Sequence, residues 1–321
     1  MSIKPRSEPG VRILLDVPTV VFYHDPCSDG FTAAWLVRKW FMAHGFTDLC
    51  KGFDTLWDGK TQLTFSGVNY DGTVPEVPDG WQIIIVDFSW GRDVLLAWLE
   101  RMKNLVVIDH HKTAKDALSG CRDFAVFDME ECGASLTNRL LFEHSTPLIE
   151  YIRDRDLWLK ELPDTEEIAA AIQSYPRHWE NWDMLNQSLD CPDGRDRLVA
   201  EGRGIRRHIY KQAAESNYNV SLYEIGGYQM WLAPEDRYIS EAAELLYNKM
   251  GDAIVGNWRI DRDTNQLIVS LRTHADNDID VSAVARDLFD RGIAISGGGH
   301  AKAAGFRLGM TRGTPLDAYQ I

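Results

Sequence analysis

The sequence predicts an α/β protein: an N-terminal domain built on a parallel sheet, followed by a smaller C-terminal α/β domain. Three observations predict it. Short, wholly apolar, β-branched runs alternate with amphipathic helical segments through the first half of the chain. Each of those runs ends directly on an acid or a histidine. A second strand-and-helix pattern begins near Val220, after a long charged segment. Runs that are apolar at every residue suit strands covered on both faces, the setting of a parallel sheet between helices. At 321 residues and 45% hydrophobic content the chain can bury cores for two domains.

Taken in order, Val20-Val21-Phe22-Tyr23 is the first strand, ending on His24. Ala33, Leu36, Val37, Trp40 and Phe41 recur at helical spacing between Thr32 and His44, and Gly45 can end that helix. Ile83-Ile84-Ile85-Val86 is the second strand and runs into Asp87; Val94, Leu95, Trp98, Leu99 and Met102 mark the helix after it. Leu105-Val106-Val107-Ile108 is the third strand and runs into Asp109-His110-His111. From about Ile149 to Trp182 the chain is aromatic-rich and helical, and Asp193 to Ser216 is a long charged helix fit to connect domains. Gln229 to Leu232, Ala253 to Ile260 and Gln266 to Leu271 are strands of the second domain, which closes on a glycine-rich turn, Gly297-Gly298-Gly299-His300. The expected organisation is a first domain over residues 1–190, a helical linker over 191–217 and a second domain over 218–321.

Charge narrows the partners. With 34 basic against 48 acidic residues the net charge is −14, the opposite of a protein that grips long nucleic acid by neutralising phosphates. Long duplexes are disfavoured; a small anion held by a few local cations is not. The five cysteines, Cys27, Cys50, Cys121, Cys132 and Cys191, are widely spaced without a C-x-x-C pair, which suits a reducing cytoplasm. The early apolar stretch Val11 to Tyr23 is broken by Asp16 and Pro18 and is too short to span a bilayer, so no membrane partner is expected. No segment marks a dimer interface, although a homodimer is compatible with the chain.

The chemistry lies at the strand ends. In an open parallel sheet the carboxyl ends of the strands form one edge, and ligands bind there. Asp109-His110-His111 after a buried strand is the sharpest signal, because such side chains are costly to bury without partners; the bland alternative is a polar turn. Asp29, in the turn His24-Asp25-Pro26-Cys27-Ser28-Asp29-Gly30, could simply cap a helix, and Asp87 has a similar reading. Three strand ends carrying acids and histidines together point to a shared cation. Mixed carboxylate and imidazole donors suit manganese or a related divalent ion better than the all-oxygen set of magnesium or calcium.

The segments HDPCSDGFTAAW, IIIVDFSW, VVIDHHKT and YIRDRDLW resemble the four motifs of the DHH phosphoesterases, and SLRT and SGGGHAKAAGF resemble their associated C-terminal domain with its GGGH loop. The likeness runs from about residue 20 to 309. It implies that residues 1–190 are a catalytic domain holding one or two manganese ions (magnesium, cobalt or zinc being alternatives) and residues 218–321 a substrate-binding domain, with a cleft between the two. By position, Asp29, Asp87, His110 and Asp154 would hold one ion, with Asp154 preferred to Asp156; His24 and a bridging Asp87 would help hold the other. Asp109 would orient a histidine, and His111 would face the scissile phosphate. One departure stands out: Cys27 occupies the first aspartate position of the family's H-x-D-x-D-G motif and His24 sits one residue earlier than its histidine, so that Cys27 supplies a thiolate, Asp25 substitutes, or that ion binds weakly. Gly297, Gly298 and Gly299 would bring backbone amides to a phosphate, with His300, Arg272 and Lys302 as further donors. Trp158, Trp179 and Trp182 could stack a base, although most of the eleven tryptophans belong in cores. The activity implied is metal-dependent hydrolysis of short oligoribonucleotides to mononucleotides, of the nanoRNase or oligoribonuclease kind. Cyclic-dinucleotide cleavage, removal of a 3′-phosphate from bisphosphorylated adenosine, single-strand DNA exonuclease action and a non-catalytic nucleotide-binding role are the alternatives.

Overall fold

The computed structural model of the protein describes residues 2–3, 11–48, 55–70, 73–121, 123–234, 239–251, 253–261, 264–274 and 276–309. The chain divides into two compact units, Met1–Ile205 and Arg206–Ile321, and the division falls within a long helix.

In the first unit, β1 (Ser2–Ile3) pairs with β2 (Ile13–Leu14) as a small ladder. The main elements follow as β3 (Thr19–His24), α1 (Ser28–Ala43), β4 (Thr47–Asp48), β5 (Thr55–Trp57), β6 (Gln62–Val68), β7 (Gln82–Val86), α2 (Arg92–Arg101), β8 (Asn104–Asp109), α3 (Lys112–Ala117) and β9 (Ala125–Phe127). Five helices complete it: α4 (Gly133–Leu141), α5 (Pro147–Asp156), α6 (Thr165–Ser174), α7 (Trp179–Leu189) and α8 (Pro192–Ser216), which reaches into the second unit. The sheet order is β4-β5-β6-β3-β7-β8-β9. From β6 to β9 every pairing is parallel, while β4 and β5 add an antiparallel edge beyond the expected parallel sheet.

The apolar runs are buried on both faces because successive strand residues point to opposite sides. Val21, Ile84, Val86, Val106 and Ile108 join one core with α1 and α4, whereas Val20, Phe22, Ile83, Ile85 and Val107 join another with Leu95 and Trp98 of α2. Trp179 and Trp182 belong to the first core: Trp179 stacks on Phe31 with centroids 4.5 Å apart, and Trp182 meets the same ring edge-on at 4.7 Å. Their burial takes them out of the base-stacking role that the sequence left open for them. Gly30 serves packing, since a Cβ there would lie 2.3 Å from the His24 carbonyl oxygen.

The second unit contains β10 (Ser221–Ile225), β11 (Tyr228–Pro234), α9 (Ile239–Met250), β12 (Val255–Asp261), β13 (Gln266–Arg272), α10 (Val281–Asp290), β14 (Ser296–His300) and β15 (Ala303–Gly309). Its sheet runs β10-β11-β12-β13-β15-β14, antiparallel throughout except for the parallel β11–β12 pair. Residues of α10 pack with Leu267, Val269 and Leu271 on one face, and residues of α9 pack with Ala233 and Val255 on the other.

The segment Gly297–His300, expected as a turn, is strand β14. Its glycines admit close neighbours: a Cβ on Gly297 would stand 2.2 Å from the Ala285 carbonyl oxygen of α10. Gly297→Ala should therefore force α10 off the sheet and destabilise the protein by about 1–3 kcal/mol. Urea denaturation is the check, and an unchanged midpoint would show that the helix yields freely.

Candidate metal centre

Strands β3, β7 and β8 are adjacent, with Tyr23 opposite Val86 and Val86 opposite Ile108. Their carboxyl ends thus bring His24, Asp87 and Asp109 to one edge, with His110 and His111 directly after. Asp87 sits there at φ +55°, a left-handed conformation that non-glycine residues hold only when their surroundings impose it. Gly133 makes room for it, since a Cβ at that position would fall 2.5 Å from Asp87 Cβ.

Asp87 is 1% exposed, and both carboxylate oxygens are buried without a hydrogen bond of good geometry. Imidazole nitrogens face them instead: His110 Nε2 lies 3.2 Å from Oδ1 and His24 Nδ1 lies 3.5 Å from Oδ2. His110 Nε2 also faces Asp29 Oδ2 at 3.7 Å and Asp156 Oδ2 at 3.6 Å. One imidazole N–H can serve a single acceptor well, so three carboxylates around it make a site with more negative charge than its proton can answer. Separations of this size are those of donors sharing one ion at metal–ligand distances of roughly 2.0–2.3 Å. Among the described residues of the first unit, three donor triads have ligand atoms within 4.8 Å of one another: Asp29, Asp87 and His110; His24, Cys27 and Asp87; and Asp87, Asp109 and His111. Asp87 is common to all three. The donor set fits a divalent cation, with Asp87 at its centre.

Electrostatics agree with this crowding. Burial pushes the Asp29 carboxyl well above the usual carboxylate range, and the charges of Asp87 and Asp156 push the same way. Burial acts on Asp87 too, but the His110 and His24 imidazoles that face its oxygens outweigh it and hold that carboxyl below its ordinary value. Burial opposes charge on His110, yet Asp87, Asp156 and Asp29 raise it to about 10. Burial, then Asp87, Asp156 and Asp29, raise the Cys27 thiol well above its ordinary value. A cation in the cluster would reverse the repulsion among the acids.

Asp109 is fully buried, and its Oδ1 accepts from the backbone N–H groups of His110 (2.8 Å) and His111 (3.3 Å) and lies 2.7 Å from His111 Nδ1. That contact fixes the orientation of the His111 ring. It also raises the His111 value against the opposing effect of burial.

Asp154 lies away from this cluster. Its carboxylate accepts from the backbone N–H groups of Glu161 (2.9 Å) and Leu162 (3.3 Å) and from the Thr165 hydroxyl, tying α5 to the start of α6. Asp156, ranked second from sequence, is the α5 acid facing His110. Two residues apart on a helix, the two acids point about 200° apart, so that only one could face the sheet edge. We expect Asp156→Asn to weaken divalent-ion binding with little loss of stability, and Asp154→Asn to do the reverse, costing about 1–3 kcal/mol. Calorimetric ion titration and chemical denaturation of both variants check this.

Asp25, the alternative ligand beside Cys27, pairs with Arg177 at 3.2 Å. The sequence reading missed the Cys132–Gly133–Ala134 segment, where α4 begins. Its backbone N–H groups at Gly133 and Ala134 donate to Asp29 at 2.6 and 2.7 Å. The small residues of C-G-A-S ahead of an amphipathic helix were the available signal. Tyr70 was also missed; its ring meets His24 edge-on with centroids 5.5 Å apart.

In the second unit, Arg272 and His300 both pair with Ala303, one from each side of β15, which sets them in one row across the sheet. Gly297, Gly298 and Gly299 run along β14 opposite Phe306, Gly305 and Ala304. Lys302 donates to the carbonyls of Asn277 and Ile279 and holds that loop. Trp158 lies under the cations of Arg155 and Lys160, at 4.0 and 4.3 Å.

Comparison with known proteins agrees with this architecture. Residues 233–310 match the model of the DHHA1 domain. An uncharacterised protein of Acanthamoeba polyphaga mimivirus is 24% identical over 313 residues, covering 93% of this chain and 69% of that one. A solved DHH domain, described as a member of a family of ribosomal proteins, superposes with a TM-score of 0.56 at 13% identity, covering 92% of this chain and 83% of that one. Exonuclease RecJ bound to manganese gives a TM-score of 0.44 at 16% identity, covering 91% and 86%. Among the described residues no helix is long and apolar enough to cross a membrane. The chain thus has the fold of that solved DHH domain, and its residues 233–310 match the DHHA1 domain model.

Proposed function

We propose that the protein is a metal-dependent phosphodiesterase of the DHH kind that hydrolyses short oligoribonucleotides to nucleoside monophosphates, its first unit holding divalent ions and its second contacting substrate. The observation that carries this reading is the cluster in which His24 and His110 face the buried, hydrogen-bond-poor oxygens of Asp87 while Asp29 and Asp156 face the same His110 nitrogen. His24, Asp29, Asp87, His110 and Asp156 would hold the ions, with manganese the favoured metal. A divalent ion bound there supplies Lewis-acid polarisation of a phosphoryl oxygen and activation of water.

The chain's own residues do the rest. His111, anchored through Nδ1 on Asp109, has its Nε2 on the opposite side of the ring. The Asp109 charge raises its value against the opposing effect of burial and so favours the protonated ring, which can donate from Nε2 to charge developing on the phosphoryl or leaving oxygen. Arg272 and His300, in one row of the second sheet, are assigned to the phosphate of the bound substrate, together with the backbone of Gly297–Gly299. The net charge of −14 supports a substrate of few phosphates over a long strand.

The test is turnover with manganese on di-, tri- and pentaribonucleotides, a long RNA, cyclic dinucleotides and 3′,5′-bisphosphoadenosine. Fastest cleavage of the shortest oligomers, with little salt dependence, is the expected result. Preference for another member of the panel would reassign the substrate, and folded protein inert on all of them with any divalent ion would end the phosphodiesterase reading.

A further inference from the structure

We propose that Cys27, with His24 and Asp87, forms a thiolate-containing cation site, so that this half of the centre takes a thiophilic divalent ion, zinc above all, in place of manganese or magnesium. The inference rests on the metal-centre reading above and extends it to the identity of the ion. One thiol sulfur, one imidazole nitrogen and one carboxylate oxygen from these residues lie within 4.8 Å of one another.

Two independent observations point the sulfur at a ligand. The first is a contrast between cysteines in equivalent places. Cys27 and Cys132 each stand at the N-cap of a helix. Cys132 uses its sulfur as a cap, accepting from Ser135 N at 3.4 Å, whereas the Cys27 side chain makes no cap hydrogen bond of good geometry to α1 and feels the Gly30 amide only weakly. The second is Asp87, 1% exposed, whose two buried oxygens lack hydrogen bonds of good geometry and face this triad on one side and the Asp29–His110 pair on the other.

The two sides differ in chemistry. Asp29, Asp87 and His110 offer oxygen and nitrogen, a set suited to manganese; His24, Cys27 and Asp87 offer nitrogen, sulfur and oxygen. Thiolate favours zinc, whereas magnesium demands oxygen donors in near-octahedral array. The centre would therefore be asymmetric, Asp87 belonging to two donor sets of unlike chemistry. On binding, the Cys27 S–H proton leaves to solvent and the sulfur lone pair forms the bond to the ion.

Cobalt is the probe, because a cobalt–thiolate bond absorbs in the near ultraviolet. The full-length chain, stripped of metal, should develop this charge-transfer band on titration with cobalt and lose it on addition of zinc. Cys27→Ser should abolish the band and weaken zinc binding by more than the roughly 10–100-fold that loss of an outer-shell partner costs. Cys27→Asp should remain without the band while binding manganese more tightly than wild type. Cobalt binding without a band, or a band that survives in Cys27→Ser, overturns the proposal. Should Cys27→Ser fail to fold, alkylation of the wild-type chain decides: zinc should shield Cys27 from iodoacetamide, and a thiol alkylated equally with and without zinc overturns the proposal. These readouts are independent of turnover. A band in protein inert on the whole substrate panel would sink the phosphodiesterase reading alone, and manganese-dependent turnover without a band would sink this inference alone.

Discussion

Asp87→Asn should abolish divalent-ion binding at the sheet edge and lower turnover by at least about 10²–10³-fold. Asparagine is the substitution to use because it keeps the size of the side chain and tolerates the left-handed backbone at φ +55°. What it removes is the charge shared by every donor triad of the first unit. The same variant tests the ion-free protein. His110, raised from 6.5 to about 10 chiefly because Asp87 outweighs the cost of burial, contributes stability fully present below pH 6.5 and lost as pH rises through about 10. Asp87, held below its ordinary 3.8, contributes stability present above that value and lost as pH falls beneath it. In chelator, wild-type stability should decline between pH 6.5 and 10 with a slope of up to about 1.4 kcal/mol per pH unit from this pair. Asp87→Asn should be less stable at pH 6 and show a much flatter alkaline limb. Saturating metal should flatten the wild-type limb as well, because the ion takes the place of the His110 proton. Parallel melting curves for both proteins across that range would mean that Asp87 is not the partner that keeps His110 charged.

What the sequence disclosed and what it hid follow from the physics of each element. Strands β3, β7 and β8 were legible because burial on both faces demands unbroken apolar runs, and the polar residue ending each run marks the sheet edge. Strand β6, QLTFSGV, was missed: its buried and part-buried residues alternate, so its composition reads as a polar loop. Strand β14 reads in sequence as a turn because its glycines, which admit α10 and β15 at close range, look like flexibility. The first-unit cluster was legible down to the strand, since a parallel sheet fixes where its carboxyl ends go. Helix rotation was not legible. Nothing in YIRDRDLW says which acid turns toward the sheet; that is set by the loop after α5, whose amides at Glu161 and Leu162 claim Asp154 and leave Asp156 for His110. The second role of Asp29 was hidden for the same reason, because its partners lie more than a hundred residues away at the start of α4.

That second role leads to the other large effect expected. Asp29→Ala should destabilise the protein by about 2–4 kcal/mol even in the absence of metal. A ligand-only role would predict the opposite: removing a buried acid whose charge is already disfavoured by burial and by Asp87 and Asp156 should relieve repulsion and stabilise the ion-free chain. The geometry decides between the two. Asp29 is 2% exposed, and its two oxygens accept the Gly133 and Ala134 N–H groups at 2.6 and 2.7 Å, so it caps α4 from across the unit. The first N–H groups of a helix have no partner within it, and the partial positive charge of that end favours a carboxylate. Alanine leaves both amides buried and unanswered, and the loss of two such bonds exceeds the repulsion relieved. Asp29→Asn, which can still present one oxygen, should cost less than Asp29→Ala while weakening ion binding strongly. Urea denaturation in chelator, set beside calorimetric ion titration, separates the two roles. If Asp29→Ala were as stable as wild type without metal, the α4 cap would contribute nothing, and Asp29 would act on the ion alone.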